Sequence, residues 1–284
     1  MTVNVVWFKR DLRLSDHAAL ERAIALNADT LLLYILEPEL VQDPHYRGRH
    51  WQFIGQSLTD MQKTLSSFGH QLEVVEGNAL EVLKRVHEAR GIMTLLSYEE
   101  TGLDVTFQRD RNVSAFCQDA GIDWQEFQTN GIQRKRKDRK GWNRSWHKVM
   151  SSACLDVNLK ALKTMALSEH ETLQSLRTKR FEKWHQKRSE MQVGGPTEAS
   201  RVLNSFLDDR GWGYQKFISK PEKSREHCSR LSPYLAWGNL SMREAYQALQ
   251  QQEKRRGWTR SMSAFESRLH WHCHFIQKFE MECR

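Results

Sequence analysis

The stretch CSRLSP, residues 228–233, sets Ser229, Arg230 and Ser232 directly ahead of Pro233 and an apolar, aromatic run. Hydroxyls, a fixed guanidinium and the amides of a helix start all direct positive charge at one point, and a diphosphate is an anion that such a set fits. The same residues taken alone also make a helix-capping turn, which is their commoner use. A second charged group, Lys9, Arg10, Asp11 and Arg13, follows an apolar run at residues 3–8. It reads either as one wall of a ligand mouth or as a solvated loop with internal ion pairs. A third, from Arg134 to Lys148, holds eight Lys or Arg against one Asp, with Trp142 and Trp146 interleaved. Cations alternating with stacking aromatics serve single-strand or loop binding. The competing reading is an interdomain linker whose tryptophans pack on a neighbouring surface.

The chain that positions these groups has 284 residues, enough for two domains, and a formal net charge of +8, which favours an anionic partner such as nucleic acid. Its five cysteines, Cys117, Cys154, Cys228, Cys273 and Cys283, never form a Cys-x-x-Cys pair, so neither a disulfide framework nor a zinc site is signalled, and a reducing cytoplasm is the expected compartment. The N-terminal apolar run is too short for a signal segment, and no stretch approaches membrane-spanning length.

Short β-branched runs alternate with amphipathic stretches through the first half. Strands are expected at 3–8, 30–36, 71–77, 92–100 and 122–128, and helices at 16–25, 49–68, 78–91 and 105–121, the first of them capped by Asp16. Five strands alternating with helices imply a doubly wound, mostly parallel sheet. Ligands of such sheets sit beyond the strands' carboxyl ends, which places residues 9–16 at a mouth of the domain. No Gly-x-Gly-x-x-Gly and no phosphate-loop pattern accompanies them, so no nucleotide fingerprint is present. After the basic segment, residues 131–193 read as a linker, and Gly194 opens a second, all-helical domain over 194–284. Pro196 as a turn and Thr197 as the N-cap start its first helix, Ser241 with Glu244 forms a capping box, and Gly257 is a stop. The last helix, from 261, is apolar and aromatic through Phe265, Leu269, His272, Phe275, Ile276 and Phe279. It reads as cut off at Arg284, with no Gly, Asn or Pro to close it.

Three segments together resemble the photolyase and cryptochrome flavoproteins. VVWFKRDLRLSDHAAL (5–20) is similar to that family's N-terminal signature, GPTEASRVLNSFL (195–207) to the helix that opens its flavin domain, and CSRLSPYLAWGNLS (228–241) to its flavin-phosphate segment. The resemblance runs over the whole chain from Val3. It implies an α/β antenna domain at 1–130, FAD as cofactor, and FAD contacts from Cys228, Ser229, Arg230, Leu231 and Ser232. Cys228 stands where the family has Thr, which exchanges a hydroxyl for a weak thiol donor. Tyr214 corresponds by position to a flavin-site tyrosine. In AFESRLHWHCHF (264–275), Phe265 falls on the flavin-side aromatic and Trp271 on the tryptophan held against damaged bases. Arg268 and His272 replace the usual Glu and Arg, so the charge pattern at the DNA differs.

The function so implied is light-driven repair of damaged DNA. A cyclobutane pyrimidine dimer is flipped from the duplex and split by an electron from reduced FAD, in a monomer that carries no catalytic metal. A folate or deazaflavin antenna is the possible second chromophore. Two other readings share the motifs: a cryptochrome-type blue-light photoreceptor, and a non-catalytic chain in which only the α/β domain folds. Because the family's remaining flavin pocket would lie beyond Arg284, the expectation is that this chain holds flavin weakly or not at all. Leu269, Phe275 and Phe279 are then expected to be left unburied.

Overall fold

The computed structural model describes residues 2–169, 171–181, 191–252 and 255–283. They form two compact units, Met1–Phe127 with Leu155–Gly195, and Gln128–Cys154 with Pro196–Arg284. In chain order the first unit opens β1 (Val3–Phe8), α1 (Ala18–Leu26), β2 (Thr30–Leu36), α2 (Pro38–Gln42), α3 (Gly48–Ser66), β3 (Leu72–Glu76), α4 (Ala79–Arg90), β4 (Ile92–Tyr98), α5 (Asp104–Asp119) and β5 (Asp123–Phe127). All four strand pairings are parallel and the order is β3-β2-β1-β4-β5. The doubly wound five-stranded sheet is therefore as expected, with its switch in strand order between β1 and β4.

The sheet's central strands are buried on both faces, which is why β1 and β2 read as unbroken apolar runs. Val3, Val5, Trp7, Leu31, Leu33 and Ile35 join one core with Ala79, Val82, Leu83 and Val86 of α4 and Val113 and Cys117 of α5. Local signals end the helices where they should. Asn78 caps α4 by accepting from the amides of Leu80 and Glu81. The cap of α1 is a correction: His17, not Asp16, receives the Leu20 amide, at 3.2 Å on Nδ1, while Asp16 lies in the left-handed region at φ 46°. Asp16 serves instead to accept the Leu155 amide on its carboxylate at 3.0 Å.

That contact belongs to a further difference. Residues 131–193, read as a linker, are shared between the units, because 155–181 carries backbone groups that complete the sheet. Thr30 donates to the Lys163 carbonyl, Met165 to the Thr30 carbonyl, Glu76 to Leu176 and Thr178 to Val74. The segment so covers the free edge of β3, which would otherwise present a row of unpaired amides and carbonyls. Arg177 fixes it further through Glu73, a fully buried carboxylate whose other oxygen accepts the Leu167 amide. The described residues of this stretch include two short 3-10 turns, Leu159–Ala161 and Leu167–Glu169, and α7 (Glu171–Gln174). Gly194 ends the unit against α3, where a Cβ would collide with the Phe53 carbonyl, and Gly195 follows at φ 123°.

The second unit is all-helical: α6 (Trp142–Ser151), α8 (Pro196–Ser205), a π-helical turn over Phe206–Arg210, α9 (Tyr214–Phe217), α10 (Ser224–His227), α11 (Ser232–Ala236), α12 (Met242–Gln250) and α13 (Thr259–Glu282). The helix expected over 241–257 ends earlier, at Gln250 with Gln251 as its cap, so Gly257 is not its stop. Its start follows the expected capping box, with Ser241 and Glu244 exchanging hydrogen bonds. Pro196 is the first helical residue of α8, so Thr197 lies inside the first turn rather than at the cap. Trp142, Trp146 and Met150 recur at helical spacing and are all buried. Trp146 meets Tyr246 of α12 edge-on at 5.4 Å, and a Cβ on Gly131 would run into its ring. These tryptophans are core, which corrects the reading of them as stacking aromatics. No described helix is long and apolar enough to cross a membrane.

Candidate functional site

In the sheet unit the carboxyl-end crevice beside β1 is filled by the chain's own charges. Lys9, Asp11 and Arg13 are buried, not solvated, although the expected internal ion pairs are present. Asp11 receives the Lys9 amide at 2.7 Å on one oxygen and faces His17 Nε2 at 2.8 Å on the other. Since His17 Nδ1 accepts from the start of α1, its proton resides on Nε2 and is donated to Asp11. Burial lowers the His17 pKa despite that carboxylate. The centre of the crevice is Arg109 of α5. Its guanidinium reaches Glu37 after β2 at 2.7 Å, Glu100 after β4 at 2.8 Å and Asp110 at 2.8 Å, and lies 4.9 Å from the Trp7 ring centroid. Arg10 adds a contact to Glu100 at 3.2 Å and donates to the Tyr46 hydroxyl at 2.7 Å.

The carboxylates of this network are driven apart. Burial pushes Glu37 up to about 7, more than Arg109 pulls it down. Burial acts on Glu100 in the same sense, but Arg109, Arg10 and Lys9 outweigh it and hold that carboxyl down at about 2. Glu37, Glu100 and Arg109 were not singled out in the sequence. Glu37 lies 72 residues from Arg109 and meets it only through the parallel sheet, so no local pattern marks the cluster.

The helical unit gathers the flavin-phosphate candidates around one arginine that the sequence reading missed. Arg210, at the end of the π-helical turn, donates to the carbonyls of Cys228 at 2.6 Å, Ser229 at 3.4 Å and Val202 at 3.0 Å, and to Ser205 Oγ at 3.0 Å. It thereby fixes the segment that carries Cys228, Ser229, Arg230, Leu231 and Ser232. Arg230 takes a left-handed conformation at φ 62°, Leu231 is buried as the cap residue of α11, and Ser232 is the first residue of that helix. Burial lowers the Arg210 pKa, and the nearby guanidiniums of Arg230 and Arg201 lower it further. Neighbouring cations that weaken one another are relieved by an anion, so this donor set fits a diphosphate. Burial raises the Cys228 thiol above its ordinary pKa, which keeps it protonated and a weak donor.

Tyr214 and Phe265 meet Phe206 in an edge-to-face aromatic cluster, with centroids 5.2 Å apart for Phe206–Tyr214 and 4.7 Å for Phe206–Phe265. Burial pushes the Tyr214 hydroxyl up to about 12, with Cys228 adding to the rise and Arg268 opposing it. Tyr214, Phe265, Cys228 and Arg268 are therefore neighbours. Phe265 is 1% exposed and also packs as core, at the head of a buried stripe on α13 that continues through Leu269, Cys273 and Gln277. The expectation for Leu269 is thus corrected, while Phe275 and Phe279 are exposed as expected. Arg268, Trp271, Phe275 and Phe279 share the outer face by their spacing. Arg268 lies over the Trp271 ring at 4.7 Å, and Trp271 meets Phe275 edge-on at 5.9 Å. His272 stands at the border of the two faces. Its Nδ1 is buried with no hydrogen-bond partner among the described residues, and burial lowers its pKa.

Comparison with known proteins accords with this architecture. The DNA photolyase family model matches residues 4–137. Cryptochrome-2 of Gallus gallus is 31% identical over 120 residues, which is 42% of this chain and 20% of that protein. Cryptochrome-1 of Mus musculus is 32% identical over 125 residues, 43% of this chain and 20% of that protein. The matched segment thus spans about a fifth of these relatives' length. Among solved structures, a Synechocystis cryptochrome superposes with a TM-score of 0.79 at 19% identity, covering 99% of this chain and 62% of that one. A bacterial class III photolyase from Agrobacterium tumefaciens gives 0.72 at 23% identity, covering 99% of this chain and 60% of that one. An archaeal photolyase from Sulfolobus tokodaii, described with two FAD molecules and a light-harvesting cofactor, gives 0.72 at 19%, covering 99% and 60%. Residues 4–137 are thus matched as a DNA photolyase domain, and the fold along nearly the whole chain is that of photolyase and cryptochrome structures.

Proposed function

We propose that this chain belongs to a flavin-dependent DNA-repair lyase, with the 228–232 segment as its FAD diphosphate site. The observation that carries the reading is the cluster of Arg210 and Arg230 beside Ser229 and Ser232, bordered by Tyr214 and Phe265. Bound FAD, when reduced, would supply a light-driven electron to a cyclobutane pyrimidine dimer. The chain's own part is to hold and shield. Ser229, Ser232 and Arg230 bind the diphosphate, Cys228 contributes a weaker donor than a hydroxyl, and the apolar bodies of Leu231, Tyr214 and Phe265 exclude water. Trp271, with Arg268 over its ring and His272 at the border, offers an exposed aromatic against which the bases of a flipped dimer stack. The basic balance supports DNA as partner, and a cytoplasmic monomer is the form in which we place it.

A cryptochrome photoreceptor is the second reading, favoured by the cryptochrome relatives of the sheet domain. FAD titration of the 284-residue chain, followed by flavin fluorescence, tests the cofactor site. Saturable binding that falls at least about tenfold in Arg230→Ala is expected, as follows from losing a charged hydrogen-bond donor. Equal binding by the two proteins would remove the site assignment. A dimer-containing oligonucleotide under blue light then separates the readings, since flavin binding without repair selects the photoreceptor. An absorption band beyond those of flavin would report an antenna of folate or deazaflavin type.

A further inference from the structure

The basic segment, which the flavin reading does not use, is a shaped surface. Its loop is closed at the base, where Trp142 Nε1 donates to the Gly131 carbonyl at 2.9 Å. It is pinned to α13 by a reciprocal pair: the Gln133 amide donates to Gln277 Oε1 at 2.7 Å, and Gln277 Nε2 returns a bond to the Gln133 carbonyl at 3.0 Å. Gln277 is wholly buried, so this pair is shielded from water. Within the loop Arg136 acts as a scaffold. It donates to the Asp138 carbonyl at 2.6 Å, to the Gln133 side chain and to the Lys140 carbonyl. The stretch's one carboxylate, Asp138, accepts the Lys140 amide at 2.8 Å. Held in this way, Lys135, Lys137, Arg139 and Lys140 are exposed on the loop, and Arg144 and Lys148 are exposed on α6.

We propose that this face is a phosphate-backbone contact surface for duplex nucleic acid, made of other residues than the FAD segment. A duplex offers about one negative charge per 1.7 Å of axis, so several exposed cations on one short, held segment can each meet a phosphate. Single-strand binding calls for exposed aromatic platforms, and the two tryptophans interleaved here face inward. The same burial argues against a lipid surface, where an apolar anchor would have to enter the headgroup layer. Contacts confined to phosphates carry neither sequence nor lesion information. A loop whose shape is already fixed loses little conformational entropy on binding.

Fluorescence anisotropy of the full 284-residue chain tests this, with a labelled undamaged duplex, a dimer-containing duplex and a single strand of equal length across a salt series. For the parent, log K on the duplex should fall linearly with log salt. In the combined variant Lys135→Gln, Lys137→Gln, Lys140→Gln and Arg144→Gln, the slope should shrink by about three to four and low-salt affinity should drop more than about tenfold. The corresponding variant with the three lysines changed to Arg and Arg144 to Lys should retain both. Arg136→Gln should cost more affinity than Lys137→Gln, because it loosens the loop as well as removing a charge. An unchanged slope in the four-fold variant overturns the proposal, as does equal affinity for single strand and duplex. Sedimentation with phosphatidylserine vesicles in place of duplex binding also overturns it. The four-fold variant should weaken damaged and undamaged duplex alike, and a loss confined to the damaged one overturns the assignment. If the parent shows no preference for the dimer-containing duplex, the repair reading fails while this surface stands.

Discussion

Arg109→Ala is expected to destabilise the sheet unit by about 3–5 kcal/mol, the cost of removing one partner from a buried ion-pair cluster. Against a whole-domain stability of about 5–15 kcal/mol, that is enough to leave the unit marginal. The reason is arithmetic of charge. One guanidinium touches Glu37, Glu100 and Asp110, all buried, and without it the carboxylates face one another in a poorly solvated crevice. Arg109→Lys should recover only part of the loss, because a single ammonium cannot replace a planar fork with three carboxylate partners. Hydrogen exchange of peptides spanning β1 and β4 reads the effect locally, and protection unchanged in Arg109→Ala would contradict it.

The same network sets a pH dependence with two opposed arms. Glu100, held at about 2, contributes stability that is present above its unfolded pKa near 4.5 and is lost as pH falls through 2. Glu37, raised to about 7, contributes stability that is full below 4.5 and lost as pH rises through 7. Glu37→Gln fixes the neutral form while keeping an acceptor for Arg109. It should be no less stable than the parent at pH 8, and the decline between pH 4.5 and 7 should be flattened. Glu100→Gln should instead weaken the unit at pH 7. Urea unfolding across pH 4–8 distinguishes the two, and identical profiles for both variants would contradict the assignment.

Arg210→Ala should disorganise the flavin-phosphate segment and reduce FAD affinity at least about tenfold. Each charge-assisted hydrogen bond contributes about 1.5–3 kcal/mol, and Arg210 holds two consecutive carbonyls of that segment as well as Val202 and Ser205. Arg210 is a positioning residue here, so its effect has a signature independent of flavin. Amide exchange in residues 228–236 should rise in the variant without any FAD present. Arg210→Lys should restore neither fully, since an ammonium cannot span the four acceptors. Weak FAD binding with an unaltered exchange pattern would mean that Arg210 acts on the cofactor directly.

Periodicity and end signals in the sequence determined the elements themselves: five strands, the helices between them and the Ser241–Glu244 box. These are local, because period-2 and period-3.6 patterns and caps depend on residues within a turn or two of each other. The SRLSP donor set was legible for the same reason. What only the tertiary structure decided was the fate of each charged or aromatic side chain whose partner is remote. Lys9, Asp11 and Arg13 are buried because α5 and the ends of β2 and β4 bring Arg109, Glu37 and Glu100 to the same crevice. Trp142 and Trp146 became core because α12 and α13 supply a surface for them. Residues 155–181 joined the sheet unit because a bare strand edge needs backbone partners, a demand that composition does not record. Arg210 gained its role only when the π-helical turn aimed it at two carbonyls eighteen and nineteen residues further along the chain.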